Sequence, residues 1–154
     1  MRRLYDEYVI LQDTLEWSVE AGALVLEGEI ALQQGIVIGV RKTLEILADP
    51  SGSTDEPDEA VLVHTVMYAY NAFVRGHHNF LRHDNAHGRP GHEDKHHFHR
   101  FDWRSGTEEL GSPVWCGEKN WPTLAQFIRT VHGWWLENAA SLPPPPPGAL
   151  LSLR

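Results

Sequence analysis

Residues 14–46 read T-L-E-W-S-V-E-A-G-A-L-V-L-E-G-E-I-A-L-Q-Q-G-I-V-I-G-V-R-K-T-L-E-I, and their apolar side chains recur with a period of two. Leu15, Trp17 and Val19 alternate with Glu16, Ser18 and Glu20. Ala21-Gly22 breaks the run. Leu24, Leu26, Ile30 and Leu32 then share a face, Gln33-Gln34-Gly35 supplies a tight connection, and Ile36, Ile38, Val40, Leu44 and Ile46 resume. Successive side chains of a strand point to opposite faces, so this spacing predicts three half-buried strands joined as an antiparallel meander.

Working outward, residues 49–59 hold no apolar side chain and two prolines, and are expected to form a long exposed loop. A fourth strand is expected over residues 61–74, a turn at Arg75-Gly76, a fifth strand over 77–85 and a sixth over 95–103, with a polar loop between the last two. Thr123 or Asn120 is placed to cap a helix, with Pro122 near its first turn. Leu124, Phe127, Ile128, Val131, Trp134, Trp135 and Asn138 follow at helical spacing, which predicts one amphipathic helix covering the sheet. The segment 4–11 is ambiguous, since Leu4, Tyr8 and Leu11 also fit a short helix. The expectation is an α+β fold: a curved, mostly antiparallel sheet of five or six strands packed by a C-terminal helix. Residues 1–140 form one domain in this reading. Residues 141–154, with five prolines at 143–147, form a tail read as a linker or a proline ligand.

Composition narrows the class. A chain of 154 residues suits one domain, and its 42% hydrophobic content, six tryptophans, four tyrosines and five phenylalanines argue against disorder. One cysteine excludes an internal disulfide framework. No apolar run approaches the ~20 residues of a membrane span, and the N-terminus leads into acids, so a cytoplasmic protein with no membrane partner is expected. The net charge of −8 looks wrong for a nucleic-acid binder, yet it is unevenly spread. Residues 1–74 carry 4 basic and 13 acidic side chains, whereas residues 75–104 carry 6 and 4 and also eight of the ten histidines. Local anion binding is therefore compatible with an acidic whole.

The chemistry is expected between residues 77 and 102. Alternation gathers Arg82, Asp84, His97 and His99 on one face if the fifth and sixth strands pair as a hairpin, provided that no bulge or slip intervenes. Four readings compete for these residues. Metal-free phosphodiester cleavage needs a base for the 2′-hydroxyl and an acid for the leaving 5′-oxygen, which two imidazoles supply, with Arg82 for the phosphate and Asp84 to orient a ring. Lys95, Arg100, His96 and Asn85 are expected as further phosphate or RNA contacts. A metal site is the second reading, since His-x-His on a strand points both rings one way. The cupin template Gly-x5-His-x-His-x3-4-Glu fits Gly91, His97 and His99 but meets Trp103 or Arg104 where it needs glutamate. A thiol enzyme on Cys116 is the third, and a merely solvated histidine-rich surface the fourth. The first reading calls for no cofactor. His64, His132 and the Trp134-Trp135 pair are read as structural.

The strings R-H-D-N-A at 82–86 and K-H-H-F-H at 95–99 resemble the TumE family of prokaryotic toxin–antitoxin proteins, which typically carry R-Y-D-N-A-P-H-H, a short loop and P-H-H-K-H. Arg82, Asp84, Asn85 and Ala86 match, as do His96, His97 and His99, and His87 falls near the first loop histidine. His83 replaces the family's aromatic residue, Lys95 its proline and Phe98 its lysine. Tyr68-Ala69-Tyr70 resembles the family's Tyr-rich strand. The likeness spans residues 24–137 in layout and 82–99 in specific letters. It implies a small toxin with ribonuclease action, neutralised by a cognate helix-turn-helix antitoxin. A homodimer is expected as well, because one helix leaves sheet surface uncovered. The alternative is a non-catalytic protein whose histidine face binds a metal or a partner.

Overall fold

In the computed structural model, residues 9–47, 62–88 and 94–147 are described. They form one sheet of eight strands, every pair antiparallel, with a single long helix. The strands are β1 (Gln12–Asp13), β2 (Glu16–Glu20), β3 (Ala23–Ala31), β4 (Ile36–Ile46), β5 (Val63–Val74), β6 (Asn79–Asp84), β7 (His97–Arg100) and β8 (Val114–Trp115). Their order is β1-β3-β4-β5-β6-β7-β8, with β2 continuing along the same edge of β3 as β1. The α+β expectation holds with more strands than the sequence announces, the extra ones being the two-residue edge pieces β1 and β8. The loop expected at 49–59 and part of the loop before β7 lie outside the described residues. No described helix is long and apolar enough to cross a membrane.

Helix α1 (Leu124–Asn138) starts at Thr123, whose hydroxyl accepts from the Gln126 N–H while the Gln126 side chain accepts from the Thr123 N–H. Such reciprocal capping is worth about 1 kcal/mol. Phe127, Ile128 and Val131 pack on Tyr70, Ile30, Ile36 and Ile38 to make the core. Trp134 stacks on Phe80 at 3.7 Å between centroids, and the Trp135 indole N–H donates to Gln34 Oε1 at 2.7 Å. Beyond α1, Leu142 is buried in the same core, and a methyl group added at Gly35 would meet Pro145 Cβ at 3.7 Å.

Two departures from strict alternation have local causes. A bulge between Ala72 and Phe73 on the β5–β6 ladder lets Phe80 and Leu81, adjacent in sequence, both join the core. Arg82 and Asp84 keep the open face. The second departure concerns β2, expected to be half-buried. All five of its residues are exposed, Trp17 by 59% and Val19 by 72%. The 15-residue helix is only about 22 Å long, and it leaves that corner of the sheet uncovered.

The break between β1 and β2 depends on Gly28. Its φ is +147°, and a Cβ there would lie 2.4 Å from the Thr14 carbonyl oxygen. Gly22, at φ +83°, has open space around it. Gly28→Ala is therefore expected to destabilise the domain by about 3 kcal/mol and Gly22→Ala by about 1 kcal/mol, read by urea denaturation. Equal losses would show that the backbone conformation, and not the collision with Thr14, sets the cost.

Candidate functional site

The β6–β7 ladder pairs Arg82 with His99 and Asp84 with His97, so two cross-strand pairs form a block of four side chains on the face that α1 does not cover. One further pairing on each side extends it: Asn71 and Ala69 on β5 oppose Arg82 and Asp84, and Trp115 on β8 opposes His97. Ala69 and Asn71 also line a cleft of about 870 Å³ that runs along the open face past Arg41 to Asp13, Glu16, Glu27 and Glu29. The block thus ends an acidic furrow.

Asp84 is wholly buried. Its Oδ2 accepts from Arg82 Nε at 2.7 Å and its Oδ1 from the Ala86 N–H at 3.0 Å. The Arg82 guanidinium is thereby oriented, and its Nη nitrogens make no hydrogen bond or ion pair with any described residue. Its side chain is 38% exposed. His97, 3% exposed, lies with its ring 4.6 Å from that of Trp115 and 4.9 Å from that of His99. Its Nδ1 is 2.7 Å from the Lys95 carbonyl oxygen, which can only accept, so Nδ1 carries the proton. Its Nε2 is 3.5 Å from Asp84 Oδ1.

His99 is the imidazole nearer solvent, with 22% of its side chain exposed. Its Nδ1 is 2.6 Å from Glu108 Oε1, and the Ser112 hydroxyl donates to the same oxygen at 2.8 Å. These two bonds, His99 first, hold the Glu108 carboxyl below the usual range. An ionised Glu108 accepts from Nδ1–H and leaves His99 Nε2 as the nitrogen with a lone pair. Nothing in residues 105–112 flags Glu108. It reaches the site because the bridge between Phe101 and Glu108 folds that loop back along β7.

The remaining expected site residues lie elsewhere. His96 is on the covered side of the sheet, its ring 5.6 Å from those of both Tyr68 and Trp121, with Nδ1 3.1 Å from the Tyr68 hydroxyl. Lys95, His96 and Asn85 line a separate cleft with Asp94 and Glu118. Asn85 is engaged within the fold: its Oδ1 accepts from the Tyr68 N–H at 2.9 Å and its Nδ2 donates to the Val66 carbonyl at 3.2 Å, clamping the end of β6 to β5. Arg100 lies over the Phe98 ring, on the face opposite His99. Cys116 donates to the His96 carbonyl at 3.4 Å, and burial pushes its thiol up, the reverse of what a nucleophilic cysteine needs.

Beneath the block, on the core face, His83 packs against Phe98 and Phe127 with Nδ1 3.3 Å from the Tyr68 hydroxyl. Burial pushes its pKa down to about 4, partly opposed by the Asp84 charge. The unfolded chain thus takes up this proton first. Stability from a neutral His83 is complete above about pH 6.5 and falls away as the pH drops toward 4. His83→Phe is expected to flatten that decline by on the order of 2 kcal/mol, read by urea denaturation at pH 7 and pH 4.5. Parallel declines in both proteins would assign the acid sensitivity to another group. No protein-family model, curated protein or solved structure matches the chain, so the functional reading rests on these residues.

Proposed function

We propose that the chain is a toxin-like ribonuclease that cleaves RNA by acid–base chemistry at the Arg82–Asp84–His97–His99 block. The single observation that carries the reading is the cross-strand pairing of an oriented, solvent-reaching arginine with a histidine whose Nδ1–H is held by a carboxylate. Arg82 offers its Nη nitrogens to a phosphate whose charge grows as the phosphorus becomes pentacoordinate. His99 Nε2 removes the 2′-hydroxyl proton, and Glu108 steadies the imidazolium that forms. The 2′-oxygen bonds to phosphorus, and the bond to the 5′-oxygen breaks. His97, entering the reaction as an imidazolium with its second proton on Nε2 beside Asp84 Oδ1, gives that proton to the leaving oxygen. The products are a 2′,3′-cyclic phosphate and a free 5′-hydroxyl.

The resemblance of residues 82–99 to the TumE family supplies the biological setting of this reading: growth arrest, relieved by a cognate helix-turn-helix antitoxin. Trp17, Val19, Ile46 and Val63, all exposed, are the apolar surface on which such a partner or a second copy would rest. A second reading has its own support, because one ligand atom from each of Asp84, His97 and His99 lies within 4.8 Å of the others.

The test is incubation of purified protein with labelled RNA in EDTA. Cleavage is expected, with 2′,3′-cyclic ends, and substrate carrying 2′-deoxyribose at the scissile position should be inert. Arg82→Ala and His99→Ala should each lose about 10²-fold or more while keeping their circular dichroism. Undiminished cleavage by His99→Ala would remove the proposed base.

A further inference from the structure

The His97–Asp84 contact is anomalous as a hydrogen bond. The Lys95 carbonyl fixes the His97 proton on Nδ1, so the neutral ring turns a lone pair at Nε2 toward a second acceptor, Asp84 Oδ1. Two acceptors facing one another in a buried setting require a cation between them. A proton is one such cation. The 3.5 Å gap is longer than the roughly 2.7–3.2 Å of an N–H···O bond. It is close to the ~3.4 Å that separates two ligands on a tetrahedral ion with bonds of about 2.0–2.1 Å.

The surroundings agree with that alternative. His99 brings a third ligand atom within 4.8 Å of the other two. Both imidazoles have Nδ1 tied to an acceptor, a carbonyl for His97 and a carboxylate for His99. This is the outer hydrogen bond that orients metal-ligating histidines and raises their basicity. Trp115 against His97 supplies an apolar wall, and the part-exposed side of His99 leaves a direction for entry and for a water as fourth ligand. Arg82 occupies Oδ2 of Asp84, and Oδ1, which accepts from the Ala86 N–H at 3.0 Å, has a second lone pair for the site.

We propose that Asp84, His97 and His99 bind one divalent transition-metal ion of the zinc type, and that this ion acts as an off-switch. The switch rests on the acid–base reading above, because the ion takes the same two imidazole nitrogens that cleavage uses, Nε2 of His99 as base and Nε2 of His97 as proton carrier. With the ion in place, neither ring can accept or return a proton. Proton and metal are alternative occupants of one gap.

The experiment uses zinc alone on tag-free, EDTA-stripped and dialysed protein, with titration calorimetry and elemental analysis. One equivalent should bind, with affinity reduced at least tenfold in His99→Ala and in Asp84→Asn. His64→Ala, altered on an exposed strand position remote from the block, should bind as the parent does. His99→Ala keeps the test valid should Asp84→Asn fail to fold. Absence of saturable one-to-one binding, or binding untouched by His99→Ala, would overturn the metal site. RNA cleavage by the stripped, dialysed protein in chelator-free buffer should then fall at least tenfold on addition of one equivalent of zinc. Cleavage unchanged by bound zinc would overturn the switch. Cleavage seen only with zinc would also overturn it, leaving the site intact and the acid–base reading refuted. Zinc bound with no cleavage under either condition would refute that reading and the switch while upholding the site.

Discussion

A carboxylate with no exposed surface dominates the energetics at the β6–β7 end of the sheet. Leaving Asp84 unpaired in that position would cost several kcal/mol, so its partners are obligatory. They come from three directions: the Arg82 Nε–H along the same strand, the Ala86 N–H at its end, and His97 across the ladder. Shifting β7 by one residue would turn His97 and His99 to the core face and leave Asp84 facing Phe98 or His96. The buried charge therefore fixes the register, and the register brings Arg82 beside His99. The chemistry proposed for the open face follows from how one buried charge is satisfied.

The two faces of β6 and β7 consequently live under different rules. On the covered side, Tyr68 joins His83 and His96 through its hydroxyl and stacks on Trp121 at 4.6 Å, a polar network embedded in aromatic packing. On the open side Arg82 and His99 have outward-facing valences. The acids along the furrow, Glu27 paired with Arg41 at 2.6 Å among them, make its far end unattractive to a polyanion. Under the proposed function, an RNA backbone would be drawn to the end of the furrow where Arg82 and His99 stand, which limits how a strand could lie across the described sheet.

Period-two patterning made β3, β4 and β5 legible, because each has one face in the core and the sequence carries that asymmetry. The Thr123 cap and the apolar stripe of α1 were legible for the same reason. Trp17 and Val19 misled because alternation reports what could be buried, and the length of the covering helix decides what is. The block of Arg82, Asp84, His97 and His99 followed from alternation alone, and the bulge opposite Phe80 fell far enough away to spare it. That same alternation placed His96 and Arg100 on the other face, so their separation from the block was readable too. Glu108 was not readable, since a loop acid carries no periodic signal and its arrival depends on a chain reversal after β7. The occupation of Asn85 was hidden likewise, because clamping two backbone groups leaves no mark in composition.

The seat of Pro145 beside Gly35 bears on how the end of the described chain is held. A flexible segment that docks on a domain surrenders backbone freedom, about 1–2 kcal/mol per residue. Five consecutive prolines have little of that freedom to surrender, since their φ angles are already fixed before folding. Once Leu142 is anchored in the core, the stiff run that follows is carried to the β3–β4 connection at small entropic loss. A composition usually associated with spacers can thus serve as a strut, bracing the turn whose Gln34 side chain holds Trp135 of the helix.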